Sequence, residues 1–222
     1  AVQAAGHGVL CQSTLGYFTD GEQLTVERSE RGFLGALQAA AERGARHAVV
    51  EVTSLALKNG YARKWRFDLG VFTNLTRDHV AEHGSWEHYL AAKAQLFVLL
   101  GPGRTAVLNA ADEAALLIDR ATAADVQRRW YAAPGRGPCL READLAAREV
   151  EVTATGTRVE LEPSPLAEQL GGDLSIRLVG EVFGENALAA ALASLASGLD
   201  ATAVRRGLAD CPPLPARFEI VG

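Results

Sequence analysis

Short β-branched runs alternate along this chain with stretches whose apolar residues recur at helical spacing, and no other feature narrows the fold as much. Residues 47–52 (HAVVEV) carry the signature of a strand buried on both faces, and 69–73 (LGVFT), 105–108 (TAVL) and 129–132 repeat the theme. Residues 8–12 read as a further short strand, followed by a turn around Gly16. Phe33, Leu34, Leu37, Ala40 and Ala41 recur as on one helix face, with Gly44 placed to stop that helix. Helices are predicted over about 85–100 and over 112–120, with 183–197 and 201–209 closing the chain. Such alternation demands crossover connections, so the expected class is α/β: a three-layer α/β/α fold on a mostly parallel sheet. The stretch 150–161 (VEVTATGTRVEL) departs from it and reads as a small antiparallel hairpin addition around Thr155-Gly156.

Composition sets the outer limits. At 222 residues, 48 % hydrophobic and 22 % charged, the chain can bury one large core or two small ones and is not disordered. A net charge of −5 argues against a nucleic-acid or anionic-membrane surface. No run of about 18 apolar residues is present to span a membrane, and no leader is evident. Cys11, Cys139 and Cys211 share no metal-like spacing, which points to a reducing cytoplasm. The sequence has no methionine and opens on AVQAAGHG, which reads as the end of a helix stopping at Gly6 or Gly8. The expectation is an excerpt of a longer protein. Cys-Pro-Pro-Leu-Pro at 211–215 is a stiff stop, placing a boundary between a domain at 1–213 and a link at 214–222.

In an open parallel sheet, ligands bind beyond the carboxyl ends of the strands. Glu51, Thr53 and Ser54 follow one buried run, and Asn74, Arg77, Asp78 and His79 follow the next. A carboxylate, hydroxyls and an imidazole at adjacent strand ends suit a divalent cation with an anionic substrate. The competing reading is local: Ser54 and Asp78 as helix N-caps, and Glu51 paired with an arginine. Lys93 falls inside the Trp86–Leu90–Phe97–Leu100 stripe of its helix. Either it snorkels to solvent, or it is a desolvated amine with a lowered pKa. Only Lys58, Lys64 and Lys93 are present, none after a glycine, so there is no G-x-x-x-x-G-K-[ST] loop; if the domain uses ATP, its phosphate cradle is expected upstream of Ala1, and the isolated chain is then expected to be inactive.

Residues 51–97, from EVTSLALKNGYARKWRFD through FTNLTRDH and HG to AAKAQLF, closely resemble the Mur ligases, with the MurE type as nearest kin. LVGEVFGENALAAALASL (178–195) and PPLPARFEIV (212–221) extend the resemblance to the nucleotide-side helix and the passage toward a C-terminal domain. The resemblance implies the central ATP-binding domain of an amide ligase that adds an amino acid to UDP-N-acetylmuramoyl-dipeptide through an acyl phosphate. It implies ATP and two Mg2+ ions as cofactors, a UDP-MurNAc-peptide and a free amino acid as partners, and a monomer. Glu51 would hold one magnesium and His79 a second, with Lys93, fourteen positions later, at the carbamoylated lysine. Thr53 and Ser54 match the hydroxyl pair at the peptide end of the substrate, and Thr25 is what survives of a threonine-rich substrate loop. Asn186, Arg217, Asn109 and Asn74 fall on the nucleotide side. The sequence departs from the pattern at Leu55 (a histidine), Tyr61 (a substrate-gripping arginine), Ala111 (an acid) and Phe183 or Gly184 (an asparagine). Two rivals follow: a folylpolyglutamate-synthetase-type ligase with another acceptor, and a non-catalytic nucleotide-binding homologue.

Overall fold

The computed structural model describes residues 1–27, 29–76, 80–134 and 138–212. A single 3-10 turn at Gln3–Ala5 ends on Gly6, whose left-handed φ of 78° matches the expected helix stop. The chain then builds a four-stranded sheet from β1 (Val9–Ser13), β2 (Gly16–Thr19), β3 (Glu22–Leu24) and β4 (His47–Val50), in the order β3-β2-β1-β4. β4 runs parallel to β1, while β1, β2 and β3 form an antiparallel meander where the sequence suggested only a turn. Helix α1 (Glu30–Glu42) starts at Ser29, whose hydroxyl accepts from the Gly32 amide, and seats Phe33, Ala36 and Ala40 against Leu10 and Tyr17.

β4 corrects one expectation: it is not buried on both faces, and Val49 is 54 % exposed. Among the described residues β4 pairs only with β1, so one flank and part of one face have nothing packed on them. A β-branched run reports strand propensity, not the number of neighbours the strand will find.

The second sheet has six strands: β5 (Leu69–Val71), β6 (Thr105–Asn109), β7 (Gln127–Ala132), β8 (Leu145–Thr153), β9 (Gly156–Leu161) and β10 (Asp173–Ile176). β5 to β8 are parallel; β8, β9 and β10 are antiparallel. The expected hairpin at 150–161 is therefore more than an addition. Its first strand begins at Leu145 and joins the parallel sheet through Tyr131↔Leu145 and Ala132↔Ala146. The three layers follow from side-chain alternation along these strands. Val107, Tyr131 and Leu145 point to α8 (Glu181–Ala196) and α9 (Ala201–Ala209), whereas Ala106, Leu108 and Trp130 point to α5 (Trp86–Val98) and α6 (Glu113–Ala121). α8 is apolar nearly all round and lies so close to the sheet that a Cβ on Gly184 would stand 2.8 Å from Val150. α5 approaches β5 similarly, with a Cβ on Gly70 only 3.2 Å from the Phe97 ring. Short helices α2 (Ser54–Lys58), α3 (Tyr61–Lys64), α4 (Val80–His83) and α7 (Pro165–Gln169) complete the described chain. None of its helices is long and apolar enough to cross a membrane.

Candidate active site

Two polar clusters lie beyond the carboxyl ends of β4 and of β5 and β6; of the residues expected after β5, Asn74 is described, while Arg77, Asp78 and His79 are not. The first opens into a cleft of roughly 260 Å³ between the β1–β2 turn, α1 and the segment after β4. Glu51 lines it and is held twice: its amide donates to Gln12 O at 2.8 Å, and its Oε2 accepts from the Thr14 amide at 2.8 Å. Among the described residues it neither caps a helix nor pairs with an arginine, and Oε1 faces the cleft without a protein partner. Thr53, not Ser54, is the N-cap of α2, accepting from the Ala56 amide at 3.2 Å, and it also lines the cleft. Tyr61 forms part of the wall from the start of α3, its ring 6.0 Å from Phe33 and 6.4 Å from Trp65. Burial, with smaller contributions from Tyr17 and Glu30, pushes its phenol up to about 12, so it stays a neutral hydroxyl at physiological pH.

Ser54 turns away from this cleft to His83, whose Nε2 lies 2.9 Å from the serine Oγ. His83 is buried, stacks on Tyr89 with ring centroids 4.9 Å apart, and has a buried Nδ1 without a hydrogen-bond partner. The sequence reading passed over His83; its only signal was the His-Gly pair of the family pattern. Thr25 is exposed and does not line the cleft.

The second cluster is closed. Asn109 is fully buried, and its amide nitrogen donates to Thr73 O at 2.9 Å and to the Glu185 carboxylate, while its oxygen accepts from the Ala111 amide. The Asn109 side-chain amide is thus engaged within the fold, tying the ends of β5 and β6 to α8. Tyr131 Oη reaches the Phe72 and Thr73 carbonyls at 3.2 and 3.3 Å. Asp112 caps α6 through the Ala114 amide and holds the Leu75 amide at 2.9 Å. Glu185 and Tyr131 escaped the sequence reading because both sit in runs that look like plain core.

Lys93 projects from α5 into this end. Its Nζ donates to Asn74 O at 2.9 Å and lies 5.2 Å from the Tyr89 ring centre and 5.8 Å from that of Phe72. It does not snorkel clear of the core. Burial pulls its ammonium below the ordinary lysine value, against a smaller opposite pull from Asp112. Asn186, by contrast, is exposed early on α8, one residue after buried Glu185.

No hydrogen bond or ion pair joins Glu51 to Lys93. His79, Asp78 and Arg77 lie outside the described residues, as does Arg217; among those described, no three His, Cys, Asp or Glu side chains gather for a metal. Glu51 nonetheless suits magnesium, being a hard oxygen donor at a strand end, fixed through one oxygen and open through the other.

Comparison with known proteins adds the family context. The Mur ligase middle domain matches residues 8–194. A UDP-N-acetylmuramoyl-L-alanyl-D-glutamate–2,6-diaminopimelate ligase of Halalkalibacterium halodurans is 39 % identical over 80 % of this chain and 35 % of its own length. The Solibacter usitatus ligase of the same name is 34 % identical over 99 % of this chain and 43 % of its own. A solved structure of a ligase of that name superposes on the whole chain with a TM-score of 0.81 at 24 % identity, covering 44 % of that protein. The chain thus spans between a third and a half of the length of these relatives.

Proposed function

Because this chain belongs to the Mur ligase family, we propose that it forms the ATP-using domain of a cytoplasmic peptide ligase of peptidoglycan synthesis, acting as a monomer. Its acceptor would be a UDP-N-acetylmuramoyl-dipeptide. The observation that carries this reading is Glu51: a carboxylate locked by the Thr14 amide at the mouth of a cleft and open to a cation on its other oxygen. The γ-phosphoryl group of ATP passes to a carboxylate of the acceptor, giving an acyl phosphate. The amine of an incoming amino acid attacks the acyl carbon, and phosphate leaves. Positioning and charge neutralisation dominate such a transfer.

Glu51, His79 and Lys93 would hold the two magnesium ions. Bound there, the metal supplies the positive field that neutralises developing phosphate charge. We assign Lys93 as a carbamate: burial already favours its neutral amine, the form that reacts with carbon dioxide, and a carbamate turns a cation beside a metal into an anion. Thr53 and Ser54 orient the peptide end of the acceptor, with Tyr61 as the cleft wall and Thr25 at its approach. Asn186 and Arg217 serve the nucleotide; Asn74 and Asn109 hold the strand ends beneath it. The boundary at 213 would lead to a further domain.

The test is isotopic. With the intact protein, ATP, magnesium and 2,6-diaminopimelate as the first amine tried, an acceptor labelled with ¹⁸O in its reacting carboxyl should release phosphate carrying one ¹⁸O. Product formation with unlabelled phosphate would exclude the acyl phosphate.

A further inference from the structure

Thr53 and Ser54 are neighbours in sequence, but helix α2 sends them to different places. Thr53 and Ala56 line the cleft. Ser54 and Lys58, four positions apart and so on one face of the helix, are fastened instead to the end of α4. Ser54 Oγ lies 2.9 Å from His83 Nε2, and Lys58 Nζ donates to Glu82 O at 3.3 Å. Ser54 is half-buried, so a ligand can still reach it.

His83 is only 5 % exposed, and its ring stacks on Tyr89 with centroids 4.9 Å apart and planes 24° from parallel. A phenyl ring would stack there as well, and an imidazole costs more to bury. What the imidazole adds is Nε2 within hydrogen-bond distance of Ser54; its Nδ1 is buried without a hydrogen-bond partner. Packing alone therefore does not account for a histidine at this position. Tyr89 stands one helical turn before Lys93 on α5, its ring centre 5.2 Å from the lysine Nζ, which in turn donates to Asn74 O. Successive contacts thus run from Ser54 through His83 and Tyr89 to Lys93 at the end of β5.

Resting on the ligase reading, in which Ser54 meets the peptide end of the acceptor, we infer that His83 is a positioning residue: it holds the Ser54 hydroxyl in one orientation, at a fixed place relative to Lys93. A free serine side chain visits three staggered positions about χ1. A hydrogen bond to a buried ring, itself oriented by stacking, selects one of them, whichever partner carries the shared proton. The acceptor then meets a hydroxyl already in place, and its reacting end is held in register with the groups around Lys93.

The test is a double-mutant cycle in the intact protein, with ATP, magnesium, 2,6-diaminopimelate and UDP-N-acetylmuramoyl-L-alanyl-D-glutamate as acceptor. Ligation is read as kcat/KM for the acceptor, and acceptor binding by calorimetry with a non-hydrolysable ATP analogue. His83→Phe keeps a ring on Tyr89 and removes the bond to Ser54; it should lower kcat/KM about tenfold and weaken acceptor binding about threefold, with binding of the ATP analogue unchanged. His83→Gln, whose amide can reach the place of Nε2, should keep more activity than His83→Asn, whose amide cannot; this pair serves if the phenylalanine variant does not fold. In a Ser54→Ala background the same His83 substitutions should cost less than about twofold, because the hydroxyl they act through is gone. A full loss repeated in that background, or equal losses for the glutamine and asparagine variants, would reduce His83 to packing and overturn the inference while leaving the ligase reading intact. The coupling seen in acceptor binding without any ligation would keep His83 and sink the ligase reading; an acceptor that does not bind at all ends both.

Discussion

The two strand-end clusters occupy equivalent places in their sheets but differ in where their polar atoms are bonded. Beyond β4, Glu51 spends one carboxylate oxygen on the Thr14 amide and keeps the other for the cleft, while Thr53 lines the same cleft as the cap of α2. Beyond β5 and β6, Asn109, Glu185, Asp112 and Tyr131 are bonded to one another or to nearby backbone, and Lys93 reaches in to an Asn74 carbonyl. The open cluster is arranged for a ligand to complete it. The closed one is arranged to hold two strand ends and a helix in fixed relation. Mutations in the first should therefore cost activity with little loss of stability, and mutations in the second the reverse. Lys93 is the exception that joins the two, a chemical group set in the closed wall.

The largest effect should come from Lys93→Ala in the intact protein, with ligation down by about 10³-fold or more and nucleotide binding largely kept. Formate should restore part of the activity as a surrogate anion, and Lys93→Arg should not substitute, because its charge has the wrong sign. Activity within tenfold of wild type would leave the carbamate without a role. Glu51→Gln should come next, lowering turnover roughly 10²-fold and raising the magnesium requirement. Its melting temperature should hardly move, since the glutamine oxygen can still accept from the Thr14 amide. A large drop would place Glu51 with the closed cluster instead.

Asn109→Ala probes the other side. It leaves the buried Glu185 carboxylate, the Thr73 carbonyl and the Ala111 amide without this partner, which should cost about 2–4 kcal/mol in urea unfolding. A loss below about 0.5 kcal/mol would show that this network is not what holds the strand ends. The smallest effect is at alkaline pH. Tyr61 titrates near 12 in the fold against an ordinary 10, so its contribution to stability is complete below pH 10 and is lost as the pH rises through about 12. Tyr61→Phe should flatten the fall in stability over that interval; an unchanged slope would mean that the phenol is not held in the cleft wall.

The closed and open clusters were also unequally legible. Lys93 stood out because a charged residue interrupted an apolar helical stripe, and that anomaly is visible in one dimension. Glu51, Thr53 and Tyr61 were found by their place after a strand and by family pattern. Glu185 gave no such sign, because it sits in the largely apolar run of α8 and its buried partner is known only once the helix is docked. His83 hid for the same reason: its partner Ser54 is 29 residues away, and packing of α5 on α2, with α4 against α5, brings them together. The meander β2–β3 was missed because short strands bounded by glycine read as turns.

What the sequence determined alone was the alternation of the main strands and helices, the stop at Gly6 and the polar residues that follow β4 and β5. Those properties are local: hydrophobic periodicity, capping residues and glycine stops act within a few positions of themselves. Only the tertiary structure decided that Val49 on β4 is exposed, that Asn109 is bonded inside the fold, and that Tyr61 lines a cleft whose described charged side chains are both acids. Burial and hydrogen-bond partnership depend on neighbours tens of residues distant, and a side chain of unchanged identity becomes a clasp or a ligand-facing group according to what packs against it.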